Sequence, residues 1–236
     1  MKFTGNSLRI LITTVLVIFC RNNYPQSSYF NINKEIGRPL INYYGPRDYE
    51  SEPQNLAILQ DKRGIIYAAN NSGTILEFDG VKWRHIIISN KLPVESLAED
   101  EKGQIYVGGT KDFGFLIPDS NGSLHFRSLL NYVDERNRNF TWVTPVTATE
   151  DGIYFQTQQS LFRWQNNRMK IWRTNTAFTN SFWINNSFYI QESQRGIMMM
   201  QNDSLVLIPG GEKFADDFIK AMLPYKSAKF AALIPK

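Results

Sequence analysis

The chain has 236 residues, enough for one large domain or two small ones with a substantial core. Its formal net charge is +4, but Lys and Arg are scattered along the chain, and such a distribution disfavours nucleic-acid binding. Cys20 is the single cysteine, so a disulfide framework within the chain is excluded.

The N-terminus has the pattern of a secretory signal peptide. Lys2 and Arg9 precede the apolar run 10–20, and a polar stretch follows it. Eleven apolar residues are too few to span a bilayer comfortably, whereas they suit the core of a signal. Phe19 is too bulky for the position before a lipidated Cys20. We therefore predict a signal peptide over 1–28 and an exported protein.

Residues 29–53 show no repeat, and beyond them one sequence unit recurs. A polar turn followed by a short β-rich strand appears as "GIIYAAN", "GQIYVGG", "DGIYFQT" and "NSFYIQE". The aligned tyrosines are Tyr67, Tyr106, Tyr154 and Tyr189, at intervals of 39, 48 and 35 residues. A fifth copy is indicated at "KFAALI", where Phe230 follows Tyr189 by 41 residues. Periods near 40 residues are typical of propeller blades.

Each copy predicts four short antiparallel strands joined by tight turns. An apolar strand comes first, the Tyr-bearing strand second, and two further strands complete the unit. The first strands are predicted at 55–60, 94–99, 143–149 and 180–185. The predicted fold is an all-β β-propeller with four four-stranded blades at 54–91, 92–130, 140–175 and 178–209. A partial blade starts at about 218, so the ring is expected to be incomplete. Segment 211–223 fits either a short helix or a loop.

The order of these motifs resembles a known family. "PQNLAILQDKRGIIYAANNSGTILEFDGVKW" and "VESLAEDEKGQIYVGG" are similar to the start of two-component regulator propeller proteins, and the resemblance covers about residues 37–236. It implies the N-terminal, periplasmic sensor part of a bacterial hybrid histidine kinase or a related triple-tyrosine regulator. In that family a membrane span and an output domain follow the propeller.

The sequence contains little that suggests catalysis. His85 and His125 are the two histidines, and both fall on predicted outermost strands. "DSNGS" at 119–123 starts like a calcium loop but lacks the distal Glu, so a hairpin turn is the better interpretation. Asp61 and Asp100 occupy equivalent turns and are interpreted as turn formers. We expect no catalytic residue, no metal site and no cofactor.

Ligand binding is predicted at one end of the blades. In a propeller, the hairpins after each second strand and the connections between blades lie at the same end of the central channel. Residues predicted there, together with a tryptophan on an innermost strand that could stack on a sugar, are Asn70, Asn71, Lys111, Asp112, Gln158, Gln159, Trp183, Glu192, Gln194 and Arg195. Their amide and charged groups suit a polar ligand such as an oligosaccharide.

The leading hypothesis is an exported, non-enzymatic propeller that senses a ligand for downstream signalling domains of a longer protein. A propeller glycosidase or polysaccharide lyase is one alternative, and a protein-interaction scaffold is another. The resemblance places the chain in the periplasm, as part of an inner-membrane protein. Homodimerisation stays open, and no nucleic-acid partner is expected.

Overall fold

The computed structural model describes residues 41–88, 91–225 and 230–234, so the predicted signal peptide lies outside the described residues. Blade 1 contains β1 (Asn55–Gln60), β2 (Ile66–Asn70), β3 (Thr74–Phe78) and β4 (Trp83–Ile87). Blade 2 contains β5 (Val94–Glu99), β6 (Ile105–Gly109), β7 (Asp112–Pro118) and β8 (Leu124–Ser128). Blade 3 contains β9 (Val146–Thr149), β10 (Gly152–Gln156), β11 (Ser160–Gln165) and β12 (Arg168–Arg173). Blade 4 contains β13 (Phe178–Ile184), β14 (Ser187–Glu192), β15 (Gly196–Gln201) and β16 (Ser204–Leu207).

A fifth, two-stranded sheet follows, as the sequence predicted. Blade 5 contains β17 (Ala221–Pro224) and β18 (Phe230–Leu233), which pair antiparallel. Segment 211–223, left open between helix and loop, contains a single 3-10 turn at Gly211–Phe214 and then β17. Two further 3-10 turns, Leu130–Tyr132 and Glu135–Asn137, lie in the connection between blades 2 and 3.

Within each four-stranded sheet, the strands pair in sequence order as a simple meander. The first strands of consecutive blades pack side by side, in the order β1, β5, β9, β13 and β17. In each blade the first strand is innermost, and the next three strands follow outwards. This is the arrangement of propeller blades. The predicted fold class is therefore confirmed.

Short polar turns make these meanders possible. Asp61 Oδ1 accepts hydrogen bonds from the backbone N–H groups of Arg63 and Ile65, both at 2.9 Å. Asp100 makes the equivalent pair of bonds in the β5–β6 turn, and Asp119 does so in the β7–β8 turn. The interpretation of these aspartates as turn formers is thus confirmed, and "DSNGS" is the β7–β8 hairpin.

Other turns use paired residues with positive φ. Asn166 and Asn167 have φ of 49° and 58°, and Asn185–Asn186 and Asn202–Asp203 adopt the same conformation. Asn and Asp tolerate this left-handed region better than other residues with a side chain. Two successive residues of this kind match the twist of the flanking strands in a hairpin.

The hydrophobic core is divided into clusters that lie between consecutive blades. Tyr106 packs against Phe155 of blade 3, and Tyr154 stacks on Phe188 of blade 4 with ring centroids 4.0 Å apart. Tyr189 continues the series against Phe230 of blade 5, with centroids 5.6 Å apart. The recurring tyrosine of the sequence is therefore an inter-blade contact.

The remaining repeated aromatic side chains divide into two groups. Five of them pack between blades: Phe115, Phe126, Phe162, Trp164 and Trp172. Phe78 and Trp83 instead pack with Tyr44 and Tyr49 on the side of blade 1 that faces away from blade 2. On that side Ile58 is 76% exposed, so this face of blade 1 is only partly covered.

Two first strands differ from their predicted bounds. β9 was predicted from Val143 but begins at Val146, because Pro145 has no N–H to donate to a sheet ladder. β13 was predicted from Asn180 but begins at Phe178, whose N–H donates to the carbonyl of Gln158 in the preceding blade. Both differences arise at connections between blades, where contacts outside the strand fix its start.

Candidate functional site

The hairpins after the second strands lie at the same end of the molecule as the connections between blades. Asn71 N–H donates to Gln54 O, and Lys111 N–H donates to Thr141 O. Gln194 N–H donates to Ala215 O in the same way. We call this end the upper rim: the β2–β3, β6–β7, β10–β11 and β14–β15 hairpins together with the connections that enter each first strand.

The predicted ligand-binding residues of the upper rim fall into two classes. Those whose side chains are buried are Asn70, Asp112 and Glu192. Those that are exposed are Asn71, Lys111, Gln158, Gln159, Gln194 and Arg195. Exposure decides which of them a ligand in solution reaches without rearrangement of the fold.

Asn70 is fully engaged in holding the start of blade 1. Its Nδ2 group donates to Glu52 O at 2.7 Å and to Asn55 Oδ1 at 2.8 Å. Its Oδ1 accepts from Ser51 Oγ and from Ser72 N–H, both at 3.0 Å. A carboxamide has two donors and two acceptor lone pairs, so these four bonds use its whole capacity.

The buried carboxylates of the rim also serve the fold. Glu192 accepts a hydrogen bond of 2.6 Å from Thr174 Oγ1 and pairs with Arg195 at 2.8 Å. Asp112 accepts a bond of 2.6 Å from Ser128 Oγ, which ties β7 to the end of β8. Buried carboxylates need such partners because desolvation of an unpaired charge is costly.

A cleft of about 400 Å³ opens in the upper rim between blades 3 and 4. It is bounded by the connection into blade 3, the β10–β11 hairpin and the start of β13. Its lining residues are Asn139, Phe140, Thr141, Trp142, Thr144, Gln156, Thr157, Gln158, Gln159, Phe178 and Thr179. Clefts of this size hold small ligands, and an uncharged polar lining with aromatic rings suits a neutral polar one.

The walls of the cleft are held firmly by hydrogen bonds. Thr144 N–H donates to Gln156 O at 2.9 Å, and Gln156 N–H donates to Pro145 O at 3.2 Å. In the β10–β11 hairpin, Thr157 and Ser160 exchange backbone and side-chain bonds of 2.8–2.9 Å. Gln158 and Gln159 are thereby presented on a braced turn.

Of the lining residues, the sequence prediction included only Gln158 and Gln159. Two of those that it missed are informative. Trp142 is 60% exposed, which is unusual for a tryptophan, and it lies in the connection just before β9. Gln156 ends β10, is 2% exposed, and its Oε1 atom has no hydrogen-bond partner among the described residues. Neither the exposure of the Trp142 ring nor the unpaired oxygen of Gln156 has a signal in the sequence, because both depend on the packed structure.

Trp183, predicted to stack on a ligand, lies away from this cleft. It is near the far end of β13, where it pairs across the sheet with Phe188 close to the Asn185–Asn186 turn. Thr179 in the cleft is four residues earlier on the same strand, a separation of about 13 Å. Trp183 packs instead against the cluster between blades 3 and 4.

The groups with shifted pKa values lie at the opposite rim. Burial raises the pKa of Tyr67 to about 12, and burial followed by the charge of Asp100 raises the pKa of Tyr106 to about 12. For Asp61, burial alone would raise the pKa. The hydrogen bonds from Arg63 and from backbone N–H groups have the larger combined effect, so the pKa of Asp61 is lowered below 3.8. These partners belong to turns, so the shifts reflect structure.

His85 and His125 lie on the outermost strands β4 and β8, as predicted, and bond to Tyr49 O and Asp119 respectively. Within 41–88, 91–225 and 230–234, no group of three or more His, Cys, Asp or Glu side chains is placed to hold a metal ion. Over the same ranges, no helix is long and apolar enough to cross a membrane.

No protein-family model matches the sequence, and no curated protein matches it. Among solved structures, the WD40 β-propeller domain of Doa1 is similar, with 15% identity and a TM-score of 0.50 over 76% of this chain. The extracellular domain of the putative hybrid two-component system BT4673 from B. thetaiotaomicron is similar at 12% identity, with a TM-score of 0.52 over 81% of this chain. The chain has the β-propeller fold.

The propeller described here corresponds to part of each of these structures. It spans 64% of the Doa1 chain and 26% of the BT4673 chain. BT4673 is described as a putative hybrid two-component system, which is the class of protein that the sequence resemblance names. At 12% identity this likeness establishes the fold, and function is argued from the cleft.

Proposed function

We propose that this propeller is an exported, ligand-sensing part of a bacterial signal-transduction regulator. The observation that carries the proposal is the uncharged cleft between blades 3 and 4, in which amide, hydroxyl and aromatic groups converge. Amides and hydroxyls both donate and accept hydrogen bonds, and a tryptophan face supports a sugar ring. An oligosaccharide or a similar neutral polar molecule is therefore the proposed ligand.

The proposed activity is binding without chemistry. The side chains that line the cleft exchange hydrogen bonds but do not transfer protons near neutral pH, whereas a glycosidase needs a pair of carboxylic acids at its reacting bond. The buried carboxylates nearest in sequence, Asp112 and Glu192, are engaged by Ser128, Thr174 and Arg195. Binding is thus favoured over the glycosidase or lyase alternative.

Export and the link to an output domain rest on sequence. The basic and apolar N-terminus supports export, and the family resemblance supports a periplasmic position ahead of a membrane span. In this proposal, ligand binding changes the relative stability of two blade arrangements, and downstream domains respond to that change. The scaffold alternative differs in predicting no small ligand.

Thermal unfolding of the 236-residue chain tests the proposal. We expect maltose, cellobiose, xylobiose or lactose at millimolar concentration to raise Tm, because a ligand that binds the folded state stabilises it by mass action. Trp142→Ala should abolish the shift and leave the Tm of the free protein within about 2 °C, since the side chain is 60% exposed.

Three outcomes would contradict the proposal. The release of reducing ends from any of these sugars, measured over hours, would favour the enzyme. If none of the four probes shifts the Tm of the unaltered chain, the scaffold becomes the better hypothesis. A shift that Trp142→Ala leaves unchanged would show that sugars bind at another surface.

A further inference from the structure

The second strand of a blade ends in a polar side chain at three of the four upper-rim hairpins. Asn70 ends β2, Gln156 ends β10, and the pair Gln191–Glu192 ends β14. All four side chains are at least 95% buried, so each must be hydrogen-bonded or be costly to the fold. Their hydrogen-bond partners therefore show what each one does.

Gln191 illustrates complete use of a carboxamide at this position. Its Oε1 accepts from Thr179 Oγ1 at 2.9 Å and from Ile219 N–H at 3.0 Å. Its Nε2 donates to Phe214 O at 2.9 Å and Asp217 O at 2.7 Å. Gln191 thus fastens the connection into blade 5 to blade 4, just as Asn70 fastens the connection into blade 1.

Gln156 departs from this pattern. It is as deeply buried as Gln191, but its Oε1 has no hydrogen-bond partner among the described residues. The connection into blade 3 is held by the backbone of Gln156, which accepts from Thr144 N–H and donates to Pro145 O. A methionine of similar volume would therefore fill this site without leaving a buried acceptor unpaired.

We propose that Gln156 is the specificity-determining acceptor of the cleft. The proposal rests on the ligand-binding function argued above and adds a chemical requirement to it. Oε1 is closed to solvent in the free protein, so the Gln156 side chain must turn towards the cleft that it lines before a ligand can reach this atom. The ligand must then present a neutral hydroxyl or amide N–H donor to Oε1, while its apolar face packs on the exposed ring of Trp142. Residues that break a local structural rule are expected at functional sites.

A comparison of the ligand-free proteins tests the unpaired state of Gln156. We expect Gln156→Met to leave the Tm unchanged or to raise it, because it removes a buried acceptor that has no partner. The matched variant Gln191→Met removes four hydrogen bonds and should lower the Tm by more than about 4 °C. If Gln156→Met lowers the Tm as much as Gln191→Met does, Gln156 is a structural residue and the proposal is wrong.

Binding measurements by calorimetry test the acceptor role itself, with the same four disaccharides as probes. We expect Gln156→Met to raise the Kd of the bound sugar at least about tenfold, which corresponds to the loss of one hydrogen bond in a desolvated cleft. Gln201→Met, at an exposed position on β15, is the control and should keep the Kd of the unaltered chain.

The two proposals fail in different ways. If the unaltered chain and Gln156→Met bind a sugar equally well, the role of Gln156 is wrong and the sensing function stands. If the unaltered chain binds none of the sugars, the sensing function is wrong, and the acceptor role of Gln156 is wrong with it.

Discussion

Single aspartates determine the geometry of the turns at the rim opposite the upper rim. Asp61 is the most buried of them, with a side chain that is 2% exposed, and it joins two backbone N–H groups to the guanidinium of Arg63. An asparagine at this position keeps an oxygen for both N–H groups but loses the charge. The substitution therefore separates turn formation from ion pairing.

We expect Asp61→Asn to lower the free energy of unfolding at pH 7 by about 1 kcal/mol or less, because Arg63 is largely exposed. The pKa of Asp61 is held below 3.8 in the folded state. Its charge therefore stabilises the fold above the unfolded pKa, and this contribution is lost as the pH falls through the folded value. Urea unfolding at pH 7 and pH 3 should show the difference between the two proteins shrinking at the lower pH.

Asp216→Asn is the control for this measurement, since Asp216 is exposed. It should differ from the unaltered chain by less than about 0.5 kcal/mol at both pH values. A difference for Asp61→Asn that stays constant from pH 7 to pH 3 would mean that the ion pair contributes nothing.

The roles of individual residues were predictable only where the role is local. Asp61 and Asp100 form turns with residues two and four positions away, so their sequence context predicts them. Asn70 was predicted to face a ligand, but its partners Ser51 and Glu52 come from the connection into blade 1. Gln156 could not be singled out, because an unpaired atom is a property of the packed structure.

At the level of elements, the tyrosine of each second strand links its blade to the next. Tyr154 and Phe188 form the tightest of these contacts, with ring planes inclined by 16°. Tyr154 is 1% exposed and Phe188 is 2% exposed, so the stacked pair is removed from solvent. Aromatic pairs of this kind add to the stabilisation that burial provides.

A double-mutant cycle measures that addition. We expect Tyr154→Leu and Phe188→Leu to be coupled by about 0.5–1.5 kcal/mol in the free energy of unfolding, because each variant already lacks the stacked pair. Tyr154→Leu combined with Leu76→Ala, a buried residue of blade 1, should be additive within about 0.5 kcal/mol. Additivity in both cycles would show that stacking contributes nothing beyond burial.

The repeat made the elements predictable from sequence, whereas their connections were not. Spacing of the tyrosines located all four complete sheets and the two-stranded fifth. The cleft depends instead on the segment 131–145, which has no counterpart of equal length between blades 1 and 2. Its position is fixed by contacts such as Phe140 against Phe113 and Phe162, which no periodicity encodes.

At the level of the whole molecule, each blade is covered by its neighbour in the chain. Leu97 on β5 packs in the cluster between blades 1 and 2. Ile58 holds the equivalent position on β1, by the register of β1 with β2 and β5 with β6, but it is 76% exposed. The two residues therefore occupy the same place in the repeat, but Leu97 is covered by the preceding blade and Ile58 is not.

Substitution by threonine at both positions measures what the covering blade contributes. Leu97→Thr should lower the free energy of unfolding by about 2 kcal/mol, because it places a hydroxyl in an apolar contact and removes buried volume. Ile58→Thr should change it by less than about 0.5 kcal/mol. Equal losses at both positions would show that the face of blade 1 is covered in solution.

The side-by-side order of the blades also has a consequence for how the chain gains structure as it is synthesised or threaded through a pore. Tyr67 lies in a cluster completed by Ile105 and Val107, which follow it by about 40 residues. Every inter-blade contact described above joins residues with a similarly small separation in sequence. Each emerging unit can therefore bury the exposed face of the one before it. Apart from the outer face of blade 1, only one apolar face at a time then lacks its partner during vectorial folding.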